Sequence, residues 1–446
     1  MKVVIVGGGF AGLKVARRLN NKPGFEVLLI DKYNYHQFQP LFYQVATASL
    51  DASNISFPLR KMFQKSKNLT IRLADVQSIS TQTNQINTNI GSFDYDILIL
   101  ATGADTNFFG NTHVQEYAFP MKSTTEALTL RHRLMSNFEE ALQEKNAEAL
   151  KRLMTVVIVG GGATGVELSG AISEMKKYVL QKDYPDLDFS LMKIILLEGG
   201  TKTLAAMSEK SAADSQKYLE KLGVQVKLGS VVKDYDGKTV VLQDGTEIPS
   251  SLVIWAAGIK GNVPAGIDPT LIARGNRIIV DRFNKVKGFD DVYALGDVAY
   301  METPKYPKGH PQVATVAIQH ADNVAENLLR IERKSTKFYE FEYYDKGSMA
   351  TVGRNLAVVD IPKPRFHFGG FFAWLVWMGL HLFLLVGVKN RIQVFINWMY
   401  NYLTYDQPLR LIFKDFYRPK EKEQVPVAKD IPGEKKENIQ KPIAVA

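Results

Sequence analysis

Apolar, β-branched runs recur along the chain, and most of them end at glycine or at an acid. Lys2-Val-Val-Ile-Val-Gly-Gly-Gly-Phe-Ala-Gly12 and Thr155-Val-Val-Ile-Val-Gly-Gly-Gly-Ala-Thr-Gly-Val-Glu167 are near copies. Each reads as a buried strand, a glycine turn and the start of a helix. The copies lie about 150 residues apart, too long a period for a solenoid. They predict an α/β fold with two Rossmann-like nucleotide-binding units. Val27-Leu-Leu-Ile-Asp31 and Lys193-Ile-Ile-Leu-Leu-Glu198 are further buried strands that end in an acid. Asp96-Ile-Leu-Ile-Leu-Ala-Thr-Gly103, Leu252-Val-Ile-Trp-Ala-Ala-Gly258 and Val292-Tyr-Ala-Leu-Gly-Asp-Val-Ala299 continue the pattern. Residues 123–152 read as one long amphipathic helix joining the units, capped near Thr124 or Thr125.

The pattern changes near the C-terminus. From 366 to 388 there is no Asp, Glu, Lys or Arg. A helix of that length spans about 35 Å, enough for a bilayer core. Gly369, Gly370, Gly379, Gly387, His367 and His381 weigh against one uninterrupted span. From 389 to 403 the chain alternates at helical spacing. Ile392, Phe395, Ile396 and Met399 make one face, and Lys389, Asn390, Arg391, Gln393, Asn397 and Asn401 are polar. Such a stripe suits a helix lying in a membrane interface. A single transmembrane helix, a monotopic anchor and a buried dimer contact are all open; a monotopic anchor that also dimerises is favoured. Residues 419–446 read as a flexible charged tail.

Charge sharpens this picture. The net charge is +9, and residues 346–418 carry nine Lys/Arg against three Asp, with three of the four tryptophans. A basic, aromatic, apolar segment points to an anionic membrane surface rather than to nucleic acid. The chain has no cysteine, which excludes dithiol redox chemistry and cysteine-ligated metal; no metal is expected. Met-Lys leads straight into a strand, so the globular part is expected in the cytoplasm.

Gly7, Gly9 and Gly12 form G-x-G-x-x-G. The first glycine makes the turn, the second admits a pyrophosphate and the third lets helix pack on strand. Asp31, beside Lys32, follows nineteen residues after Gly12, where a carboxylate can accept from an adenosine ribose. Gly160, Gly162 and Gly165 repeat the motif, with Glu198 as the acid. Its spacing from Gly165 is thirty-three residues against the usual twenty or so, so 176–192 must be a helix and loop insertion. An acid there repels a 2′-phosphate, which selects NADH over NADPH. Two dinucleotides in one chain suggest hydride transfer between a nicotinamide and a flavin, with non-covalent FAD in the first unit. Gly296-Asp297 ends a strand before a helix; in two-dinucleotide flavoproteins that aspartate faces the ribityl chain, although Gly-Asp is also a common turn. Glu167 stands where nicotinamide and flavin would meet, or is merely a helix N-terminal acid. Without cysteine the electron acceptor is oxygen, a protein or a small molecule such as a quinone.

Over residues 1–418 the chain resembles the type II NADH dehydrogenases, the non-proton-pumping NADH:quinone oxidoreductases of respiratory chains. The resemblance rests on the two glycine motifs, Tyr35-His-Gln-Phe-Gln-Pro-Leu-Phe-Tyr-Gln-Val-Ala-Thr47, Ala101-Thr-Gly103, Trp255-Ala-Ala-Gly258, Ala294-Leu-Gly-Asp297 and Ala314-Thr-Val-Ala-Ile-Gln-His320. It implies that Thr47, Thr102, Gly103, Gly296, Asp297 and Gly258 belong to the cofactor sites. It also implies that Gln319 sits at the mouth of a quinone tunnel, near His320 and Lys389. The expected organisation is an FAD domain over 1–115 and 275–345, an NADH domain over 116–274 between them, and a membrane module over 346–418. The rival is a soluble flavoprotein reductase using oxygen or a ferredoxin.

Overall fold

The computed structural model describes residues 1–413; the tail expected over 419–446 lies outside them. The first sheet has five parallel strands in the order Val292–Ala294, Ile97–Leu100, Lys2–Val6, Glu26–Asp31 and Leu69–Leu73. Its central strands are covered on both faces, which is why they read as unbroken apolar runs. Helix α1 (Phe10–Leu19) packs Leu13, Val15, Ala16 and Leu19 against it. A short helix α2 (Phe42–Ala46) follows, every residue of it buried.

The second sheet repeats the plan with strands in the order Phe119–Pro120, Leu252–Trp255, Thr155–Val159, Lys193–Leu197 and Gln225–Lys227, all parallel. The single helix expected over 123–152 is instead two, α3 (Thr124–Ala141) and α4 (Ala147–Leu153). Ser123, not a threonine, caps α3 by accepting from the Glu126 amide, and Glu126 accepts in return from the Lys122 amide. Asn146 accepts from the Glu148 and Ala149 amides and so starts α4 afresh. Helix α5 (Ala163–Met175) continues into a π-turn (Lys176–Leu180) and then a loop before the next strand. That is the insertion the long glycine-to-acid spacing demanded. Helix α6 (Glu209–Lys221) covers the second sheet.

Helix α7 (Ala314–Glu332) returns to the first unit and lies on α1, burying Ala317, Ala321, Val324 and Leu328. A three-stranded antiparallel sheet (Ser348–Gly353, Leu356–Pro362, Arg365–Gly369) follows, then helices α8 (Phe371–Leu384) and α9 (Val388–Thr404). This sheet sits on α5 so closely that a Cβ on Gly170 would collide with the Val352 carbonyl.

Residues 366–388 do not make one span. They begin in a strand, turn at Gly370 (φ 75°), and end at Gly387 (φ 89°). The 14 residues of α8 reach about 21 Å, short of a bilayer core. Among the described residues no helix is long and apolar enough to cross a membrane, so the transmembrane alternative is withdrawn. Helix α9 is inside out. It turns Asn390, Val394 and Trp398 to the protein and exposes Ile392, Phe395, Ile396, Met399 and Leu403. The Asn390 amide donates to the carbonyls of Ser53, Asn54 and Ser56. Phe372, Leu375, Val376 and Phe383 of α8 are exposed as well.

Candidate functional site

The two glycine turns match atom for atom in their constraints. Gly7 and Gly160 hold φ of 105° and 111°, which side chains rarely adopt. A Cβ on Gly12 or Gly165 would strike the carbonyl of Gly7 or Gly160, so only glycine lets each helix approach its turn. Gly9 and Gly162 face open space, where backbone amides and a helix N-terminus await an anion. The acids match too. Asp31 accepts from the Gly8 amide at 2.5 Å and from the Tyr33 amide at 2.6 Å. Glu198 accepts from Gly161 at 2.5 Å and Gly200 at 2.6 Å. Glu198 therefore stands over its turn as Asp31 does, despite the longer spacing.

A polar groove runs from the first turn across the sheet edge. Gly7, Gly8, Gly9, Asp31, Lys32, Thr102, Gly103 and Asp297 line it, together with Lys122 and Gln39. Burial raises the carboxyls of Asp31 and Asp297 above the ordinary range; for Asp297 the charges of Lys122 and Arg277 partly offset this. Thr102 donates to the Asn262 carbonyl at 2.5 Å, closing one wall. Glycines that a Cβ would obstruct, an acid at the strand end and an open anion cradle suit a flavin dinucleotide. Thr47 is fully buried, and its hydroxyl bonds the Tyr43 carbonyl rather than the groove. Gly258 lies beneath the Phe109 ring, beside the second turn's strand edge.

Glu167 begins the second turn of α5, past the reach of a simple helix-end effect. It lines a cavity of about 130 Å³ with Tyr43, Gln44, Thr351, Trp377 and Trp398. Burial pushes its carboxyl up to about 8, with the Thr351 backbone and the Trp377 indole pulling the other way. It therefore holds a proton near neutral pH. Gln44 donates to the Tyr43 hydroxyl (2.8 Å) and accepts from the Trp398 indole (2.7 Å), fixing one wall. Trp377 stacks on His381 at 4.0 Å. The cavity shares Trp374, Met378, Trp398 and Tyr402 with an apolar cleft between α8 and α9, which Leu375, Leu382, Phe395 and Met399 also line.

The structure does not bring Gln319, His320 and Lys389 to this cavity. Gln319 pairs both amide groups with the Tyr344 backbone. His320 is buried against Phe341 and accepts from the Gly296 amide at 3.2 Å, and burial lowers it to about 3. It therefore shapes the Gly296-Asp297 turn as a neutral ring. Lys389 is exposed in the first turn of α9. Sequence reading did not place Trp377 or Trp398 at this site, and it had Tyr43 only within the Tyr35–Thr47 stretch that carries the resemblance. They come from three separate elements, and no spacing signals that they converge.

Paired glycine cradles with matching acids, a groove for one dinucleotide and a buried carboxyl in a further cavity define a two-dinucleotide oxidoreductase. The pyridine nucleotide-disulphide oxidoreductase family model matches residues 1–321, and the NDH2 C-terminal domain model matches 345–405. The chain is 36% identical over 422 residues to the type II NADH:quinone oxidoreductase Ndh of Mycobacterium tuberculosis (strain ATCC 25618 / H37Rv), covering 90% of this chain and 88% of that protein. It is 29% identical to a probable NADH dehydrogenase of Dictyostelium discoideum, covering 89% and 88%. In fold it resembles NDH2 from Plasmodium falciparum solved with NADH (TM-score 0.84, 21% identity, 93% of this chain and 99% of that one). The sulfide:quinone oxidoreductase of Aquifex aeolicus is a more distant likeness (TM-score 0.70, 20% identity, 88% and 92%). The chain belongs to the type II NADH:quinone oxidoreductase family.

Proposed function

We propose that this chain is an FAD-dependent, non-proton-pumping NADH:quinone oxidoreductase of a respiratory chain, seated on the cytoplasmic face of a membrane. Bound in the groove, FAD supplies the two-electron carrier between a hydride donor and a quinone. Gly7, Gly9 and Gly12 cradle its pyrophosphate, Asp31 and Lys32 its adenosine end, and Thr102, Gly103, Gly296 and Asp297 the rest. Gly160, Gly162 and Gly165 hold NADH near Gly258, and Glu198 rejects a 2′-phosphate. Glu167 carries a proton at the quinone, between the Tyr43, Trp377 and Trp398 rings. His320 acts at a distance on the backbone of the flavin turn, Gln319 on the Tyr344 backbone beyond it, and Lys389 at the lipid surface.

One observation carries the reading: the cavity holding Glu167 shares its walls with the apolar cleft between two helices whose exposed faces are apolar. A lipid-soluble oxidant fits that route and a ferredoxin does not. The excess of basic residues in the same segment favours an anionic leaflet, and the exposed apolar face supports a homodimer. In stopped flow, NADH should bleach the yellow protein and a short-chain quinone should restore the colour. Recolouring by oxygen alone, with quinone adding nothing, overturns the assignment.

A further inference from the structure

Glu167 has a second carboxylate on its own helix face. Glu167, Ala171, Glu174 and Tyr178 follow one another at the i, i+4, i+7, i+11 positions of α5 and its π-turn, and all four line the same cavity. Two helical turns put the carboxylates roughly 10 Å apart along the axis. Ala171, small, separates them on one side, and Gly353 lies opposite. A Cβ on Gly353 would come within 2.9 Å of Glu174 Oε1, so this glycine leaves Glu174 its room. Glu174 accepts from the Arg354 amide.

Arg354 marks the outer end. Its guanidinium lies 4.2 Å from the Tyr402 ring centre and 3.7 Å from that of Tyr405, and it donates to the carbonyls of Asn401 and Tyr402. Tyr405 packs on Tyr178 at 4.6 Å, and Asp406 and Gln407 finish the rim. Tyr405 is exposed, so this rim reaches the protein surface, about two helical turns along α5 from Glu167. The ionisable groups around Glu174 are Glu167, Lys177 and Tyr178 on α5 and its π-turn, Arg354 from the hairpin turn after Gly353, Tyr43 from α2, and Tyr402, Tyr405 and Asp406 from α9 and the chain beyond it. Burial raises the Glu174 carboxyl above its ordinary range, while Arg354 and Lys177 restrain it.

The proposed reaction, NADH + H⁺ + quinone → NAD⁺ + quinol, consumes one proton from water each turnover. A hydride brings two electrons and one proton to the acceptor; the second proton must enter from outside. The cleft between α8 and α9 is lined almost wholly by apolar side chains, and no carboxylate, histidine or lysine lines it to pass a proton along. The α5 face offers two carboxylates lining one cavity, whose volume of about 130 Å³ has room for several water molecules.

We propose that Glu174, held by Arg354, is the outer station of a proton path along α5, and that it resupplies Glu167 after Glu167 gives its proton to the quinone. Glu174 acts through Glu167 and is a positioning residue, not a catalytic one. The path rests on the quinone reading above. Glu174→Gln keeps an acceptor for the Arg354 amide but cannot relay a proton. In the holoenzyme, bleaching by NADH should keep its rate, while recolouring by a short-chain quinone should slow about tenfold or more. Its solvent deuterium isotope effect should rise, and Glu174→Asp should recover most of the rate. Without turnover, infrared pH titration of the Gln variant should lack one carboxylic-acid carbonyl band present in the parent. Unchanged recolouring and isotope effect in Glu174→Gln overturn the path. So does equal slowing of both half-reactions that Asp does not restore, since that reports structural damage. If the parent enzyme itself is not recoloured by quinone, the assigned reaction fails first, and the path falls with it.

Discussion

Glu198 and Asp31 lie at different sequence distances from their glycine turns yet accept from the same middle amide of each, Gly161 and Gly8. A strand-end acid was legible because strand, turn and helix are contiguous; the loop in between only lengthens the return. Glu198→Gln should lower the preference for NADH over NADPH, read as the ratio of kcat/KM values, and an unchanged ratio removes its assigned role. Glu167 was legible as a residue but not as an environment, since Thr351 and Trp377 arrive from some 200 residues later. Its carboxyl is raised in the folded chain, so the fold binds a proton there that the unfolded chain releases. Stability from this group is greatest below the unfolded value and falls as pH climbs towards about 8. Glu167→Gln should therefore gain stability relative to the parent as pH rises from 5 to 8, by on the order of a few kcal/mol, read from the pH dependence of the Tm difference. A Tm difference independent of pH contradicts the raised carboxyl. The orientations of Gln319 and His320 were not legible, because adjacent residues on a helix point about 100° apart and the packing partners, Tyr344 and Phe341, lie outside it.

At the scale of elements, the apolar stripe of α9 was read from its periodicity, and its direction came from the structure. An amphipathic helix on a soluble protein turns its apolar stripe inward; α9 is held the other way by Asn390, which takes three backbone carbonyls of the 53–56 turn. Asn390→Leu leaves those carbonyls without a donor and should cost about 1–3 kcal/mol, measurable by thermal unfolding. Phe395→Glu with Ile396→Glu should instead leave Tm alone and release the protein from anionic vesicles in flotation, with bleaching by NADH intact. Vesicle binding that survives the pair refutes the anchor. The break between α3 and α4 was hidden because the apolar pattern continues across it, while Asn146 takes the following amides for its own cap.

For the whole molecule, the duplication was visible because each cradle is built from a dozen contiguous residues. What joins the C-terminal sheet to the rest was not, since Gly170 inside α5 looks like nothing more than a weak helix residue. Its missing side chain lets the Val352 backbone lie against the helix, and this seats Thr351, Gly353 and Arg354 along the α5 face. Gly170→Ala should cost about 1–3 kcal/mol and slow recolouring by quinone more than bleaching by NADH. The outward-facing helix has a further kinetic meaning. An enzyme moored by such a surface meets its oxidant by diffusion in two dimensions, so its rate follows the mole fraction of oxidant among the lipids rather than the amount per litre. Diluting the bilayer with empty lipid, at constant total oxidant, is then a form of inhibition.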